Sequence, residues 1–133
     1  MHFIVSAPGS GYIPADSDVT YSYEFVDTHN AMDPGSGTFY APFAGYYGFM
    51  FYARSEWSHN GNNLFGVHNG NWFHIHLSYT QSDIDGVWGY VSNMAYFALY
   101  LNPGDSVKIN SGNAGILNGE FSSKFTGFLL NKA

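Results

Sequence analysis

Apolar and polar side chains alternate along this chain in short runs, and Gly, Pro, Asn and Asp cut one run from the next. The pattern predicts strands over residues 3–7, 19–26, 38–41, 46–53, 64–68, 72–79, 91–101, 106–110 and 124–130. Over 19–26, Val19, Tyr21, Tyr23 and Phe25 alternate against Thr20, Ser22, Glu24 and Val26, the signature of a half-buried strand. Residues 33–37, Asp-Pro-Gly-Ser-Gly, predict a tight turn, because Pro fixes φ at its second position and Gly tolerates positive φ. Asn69-Gly70-Asn71 predicts a hairpin turn between 64–68 and 72–79. The run 46–53 differs from the others: Tyr47, Phe49, Phe51 and Ala53 lie on one face, and Tyr46, Met50 and Tyr52 on the other. A strand with two apolar faces must be covered twice.

Composition narrows the class. The chain has 133 residues, of which 26 are Phe, Tyr or Trp and 16 are Gly, while only 11% are charged. That length fits one domain over 1–133, and those residue types favour pleated sheets and turns over helical bundles or disorder. An all-β sandwich is expected. Net charge is −6 with no Lys or Arg cluster, which excludes nucleic acid and anionic membrane surfaces as partners. No apolar run reaches the ~20 residues of a membrane-spanning helix, so membrane insertion is not expected. There is no Cys, hence neither disulfides nor thiolate chemistry. Residues 1–6 lack the basic start and the length of a signal peptide, so secretion would need a leader upstream.

Candidate chemistry is sparse. No Gly-x-Ser-x-Gly elbow, zincin pattern or phosphate-binding loop occurs, so the chain is not expected to be an enzyme and has no catalytic residue. His74 and His76, two apart, with His68 on the adjoining arm, have the spacing of a divalent-metal site; alternatively they are outward strand residues around an inward Ile75. Asp83 and Asp85 precede Gly86 in a loop, an oxygen-rich arrangement suited to Ca²⁺ or simply a solvated acidic turn. No cofactor is required. Trp57 and Trp88 fall in expected loops, where they can stack on sugar rings, whereas Trp72 starts a strand and is expected to pack.

Three motifs in order then carry a resemblance. Gly37-x-Phe39-x-Ala41-Pro42-x-x-Gly45-x-Tyr47-x-Phe49, Leu99-x-Leu101-x-x-Gly104-Asp105-x-Val107 and Phe125-x-Gly127-Phe128-Leu129-Leu130 together resemble the globular head of the C1q and tumour necrosis factor superfamily, over about 19–130. The match is to structural positions, with Met32 where many members have Tyr and no collagen-like Gly-x-y stretch. The resemblance implies a ten-stranded jelly roll assembled as a homotrimer. The second apolar face of 46–53 independently calls for a neighbouring subunit, with Tyr46, Met50 and Tyr52 at the trimer interface. It further implies a secreted, lectin-like recognition module of innate immunity, binding carbohydrate or surface patterns, with calcium in the region of Asp83 and Asp85. Trp57, His59, Asp85 and Trp88 are the candidate ligand-binding residues. The alternative is a structural trimeric head of an extracellular matrix, capsule or adhesive, without a small ligand.

Overall fold

The computed structural model describes residues 1–6, 12–56, 62–78, 90–112, 116–117 and 123–133. Among them the strands are β1 (His2–Ser6), β2 (Tyr12–Ile13), β3 (Tyr23–Asp27), β4 (Met32–Asp33), β5 (Thr38–Tyr40), β6 (Gly45–Glu56), β7 (Asn62–His68), β8 (Asn71–Ser78), β9 (Tyr90–Leu101), β10 (Ser106–Asn110), β11 (Ile116–Leu117) and β12 (Lys124–Lys132). Ten of them form two five-stranded layers, β3-β1-β12-β6-β9 and β4-β5-β10-β7-β8. The two-residue β2 and β11 extend the first layer, β11 pairing with Arg54 and Ser55 of β6 beyond the end of β12. This is the jelly-roll sandwich that the motif order implies.

The pleat explains the packing. Side chains two apart share a face, so β6 points Tyr47, Phe49, Phe51 and Ala53 inward, and all four are fully buried. Phe49 sits at the centre: its ring lies 5.4 Å from Phe39 of the opposite layer, 5.2 Å from Phe97 of β9 and 5.8 Å from Phe125 of β12. Phe3 joins the layers too, stacked on Phe39 at 5.1 Å and edge-on to Phe125 at 5.2 Å. Such ring pairs add about 0.5–1.5 kcal/mol each beyond burial. The Tyr47 hydroxyl donates to the Phe43 carbonyl at 2.7 Å and accepts from the Phe43 N–H at 3.1 Å, which lets a tyrosine sit in this core, and burial raises its pKa against the N–H bond that it accepts.

Two expectations are corrected by tertiary pairing. The run 19–26 is not one strand; only its end belongs to β3. Val19 donates its N–H to Ile109 of the second layer at 2.9 Å, whereas Ser22 donates to Ser6 of the first at 3.1 Å. The chain therefore crosses between layers here, burying Val19 and Tyr21 and leaving Tyr23 and Phe25 exposed. Strand β6 also continues through Glu56, where a loop is expected, because β9 pairs with it along its whole length, from Gly45 opposite Leu101 to Glu56 opposite Tyr90. The C-terminal strand β12 is central rather than terminal in space, held between β1 and β6.

Turns close as the sequence predicts. Gly37 has φ +72° and donates to Asp33 at 2.8 Å, and a Cβ there would fall on the Val19 carbonyl oxygen. The β7–β8 and β9–β10 turns are clasped together. Asp105 accepts from the Asn102 N–H at 2.9 Å and from the Asn69 amide at 3.0 Å, and lies 3.5 Å from the His68 imidazole. Asn69 in turn accepts from the Ser106 N–H at 2.8 Å.

Two outcomes follow from these turns. Gly37→Ala should lose more than the ~1–2 kcal/mol that left-handed backbone alone costs a residue with a Cβ, because the obstruction is fixed main chain; an unchanged denaturant midpoint contradicts this. The Asp105 carboxyl is held below its ordinary 3.8, chiefly by the Asn102 N–H, then by the Asn69 amide, with His68 a smaller contribution against slight desolvation. A depressed carboxyl stabilises the fold above its unfolded pKa and ceases to do so as pH falls through the folded value. Asp105→Asn should therefore melt below the parent protein at pH 7, and the gap should close as pH drops below about 3.8. A gap independent of pH contradicts the clasp.

Candidate functional site

The outward face of the first layer is apolar where a solvated face would be polar. Opposite the core side of β6 stand Tyr46, 53% exposed, and Met50, 44% exposed, with Tyr52 half-buried. Register brings Tyr100 beside Tyr46 and Tyr96 beside Met50 from β9, and both tyrosines are exposed. The Tyr46 and Tyr100 rings meet edge to face at 5.2 Å. Gly48 lies between the two rows, and the Tyr96 hydroxyl and the Phe128 ring of β12 come within about 3 Å of where its Cβ would stand. Leu130, 49% exposed, extends the face along β12. The three residues expected at a subunit interface thus share one continuous surface, to which the structure adds Tyr96, Tyr100 and Leu130. Those three were legible in the sequence only as alternation in strands 91–101 and 124–130, and came beside Met50 or Tyr46 only through strand pairing.

The second layer also presents aromatic side chains. Trp72, expected to pack, is 51% exposed. The cause is its place at the start of β8: it faces outward, opposite Val67, with its ring 5.4 Å from Phe65. His74 is exposed beside Phe65 at 4.5 Å, and Ile75 packs towards the core. That is the strand arrangement of outward His74 around inward Ile75. His68 is turned to Asp105, and among the described residues no group of three His, Cys, Asp or Glu comes together as a metal site.

A cleft of about 550 Å³ opens beside β4, lined by Glu24, His29, Asp33, Tyr40 and Pro42 among others. Carboxylates in and beside it serve the surrounding turns. Asp27 accepts from the Ala31 and Met32 N–H groups at 2.9 Å each, and Asp33 from the Ser36 hydroxyl at 2.8 Å. Glu24 has its pKa raised by desolvation first and then by Asp27 beside it. Of the two carboxylates that line the cleft, Asp33 thus accepts from the Ser36 hydroxyl and Glu24 stands beside Asp27.

Trp57, His59, Asp83, Asp85 and Trp88 lie outside the described residues. Among the described residues no helix is long and apolar enough to cross a membrane.

Comparison with known proteins agrees with this architecture. The family model for the C1q domain matches residues 3–130, so the match takes in β1, which precedes the stretch carrying the motifs. No curated protein matches the sequence. Among solved structures, the globular domain of zebrafish complement 1qA superposes with a TM-score of 0.77 at 17% identity, covering 99% of this chain and 98% of that one. Eiger TNF from S. frugiperda gives 0.73 at 17% identity, over 99% and 92%, and murine APRIL 0.66 at 12%, over 98% and 100%. At such identities the likeness shows fold alone, and the family rests on the motif-bearing sequence itself. With its jelly-roll layers, its ordered motifs and a match across 3–130, this chain belongs to the C1q domain family.

Proposed function

We propose that the chain is a secreted, non-catalytic recognition module that works as a homotrimer and binds carbohydrate or other surface-pattern ligands. The observation that carries this reading is the apolar outward face of β6 and β9, built from Tyr46, Met50, Tyr96 and Tyr100. A face of that kind resembles half of a divided core, as obligate interfaces do, and trimerisation about it sets three copies in fixed geometry. Shallow sugar sites gain little each, so three held together bind a repetitive surface far more tightly than one. Trp57, His59, Asp85 and Trp88 are the proposed ligand contacts, on the chemistry of aromatic rings beside polar side chains.

Light scattering should give three times the 14.7 kDa of one chain, and Met50→Glu should yield monomer or aggregate, since an unpaired carboxylate buried at an interface costs several kcal/mol. A monomeric parent protein overturns the trimer. On a glycan array the parent trimer should bind, and Trp57→Ala or Trp88→Ala should weaken binding while assembly and melting temperature stay unchanged. A blank array with an intact trimer favours instead a structural head that nucleates assembly of a matrix, capsule or adhesive. Asp83 and Asp85 are the proposed Ca²⁺ ligands: EDTA should lower the melting temperature and calcium restore it, because a ligand that binds only the native state stabilises it by mass action. Equal melting temperatures with EDTA and with millimolar calcium remove the ion.

A further inference from the structure

The open face of the second layer carries a small aromatic platform whose geometry is separate from the apolar face of β6 and β9. Val107 and Ile109 of β10 point into the core, so Lys108 and Asn110 between and beyond them lie on the other face, where Asn110 is buried and donates its amide to Asp18. Register across β10, β7 and β8 then lays out two rows, Lys108–Val67–Trp72 and Asn110–Phe65–His74. Phe65 stands at the junction, 5.4 Å from the Trp72 ring and 4.5 Å from the His74 ring. Val67 is 2% exposed yet lies outside the central core cluster. It is the floor of a local apolar site between Lys108 and Trp72. Trp72 nonetheless leaves half of its surface to solvent.

We infer that this platform is a carbohydrate-binding subsite, taking one or two pyranose rings of a neutral oligosaccharide against Trp72, Phe65 and His74. The inference rests on the proposed recognition function and adds Trp72, Phe65 and His74 to its proposed contacts.

Among the described residues, size favours a small ligand over a protein partner. Three strands about 4.8 Å apart and two same-face rows about 7 Å apart make a patch of roughly 10 by 7 Å. A protein partner covers about 800 Å² on each side, an order of magnitude more. A pyranose ring fits that size: its C–H faces lie on the rings while its hydroxyls stay at the rim. The rim supplies what hydroxyls need. The imidazole of His74 can donate or accept. Lys108, 2.8 Å from Asp18, keeps further N–H donors beside that carboxylate acceptor. The charges of that pair offset each other, which favours a neutral sugar over an acidic one.

The test uses the whole chain on an array of neutral hexose and N-acetylhexosamine oligosaccharides, followed by titration of the best-bound oligosaccharide. Trp72→Ala should weaken binding at least tenfold and His74→Ala severalfold, with oligomeric state unchanged, while Trp72→Tyr keeps most of the affinity. If Trp72→Ala uncovers Val67 and unfolds, His74→Ala and Trp72→Tyr carry the comparison. Parent-level affinity in Trp72→Ala and His74→Ala, with losses confined to Trp57→Ala or Trp88→Ala, overturns the platform and leaves glycan recognition standing. An array that stays blank for the parent trimer overturns both.

Discussion

The ring of Phe49, packed between two sheets, is the contact on which the rest of the structure hangs. Phe39 reaches it from the opposite layer, and Phe97 and Phe125 flank it from the strands on either side of β6. Phe3 then ties β1 to both Phe39 and Phe125. Aromatic side chains are large and stiff, so a core made of them fixes the spacing and register of both layers together. Close approach elsewhere is made possible by glycine: a Cβ on Gly127 would run into the Phe3 ring.

A core filled from one face of β6 leaves its other face to be explained, because the pleat allows no side chain to serve both. Tyr46, Met50, Tyr96 and Tyr100 are therefore a consequence of the same strand pairing that buries Phe49. The second layer solves its open face differently. There Phe65, Trp72 and His74 cluster with Lys108 and its partner Asp18, mixing rings with hydrogen-bonding groups. One face is broad and apolar, suited to a copy of the same chain; the other is small and rimmed with polar groups, suited to a hydroxylated ligand.

The turns at one end connect these features to stability. Asn69 and Asp105 clasp the β7–β8 and β9–β10 turns with side-chain bonds to backbone N–H groups. The clasp holds β7 beside β10, and so keeps Lys108, Val67 and Trp72 in one row.

Local periodicity determined much of this by itself. The alternation of Tyr47, Phe49, Phe51 and Ala53 identified the inward face of β6, the Asp33 to Gly37 turn and the Asn69-Gly70 hairpin were written in their residue types, and three ordered motifs disclosed the family. What periodicity could not decide was anything set by a partner distant in sequence. Val19 and Tyr21 share a pattern with Tyr23 and Phe25, yet the first pair is buried and the second exposed, because the chain changes layers between them. Trp72 reads as a core residue until the pairing with Val67 turns it outward beside Phe65. A side chain's face follows from its own strand, but what lies across from that face follows from strands brought alongside by folding, and only the tertiary structure contains that pairing.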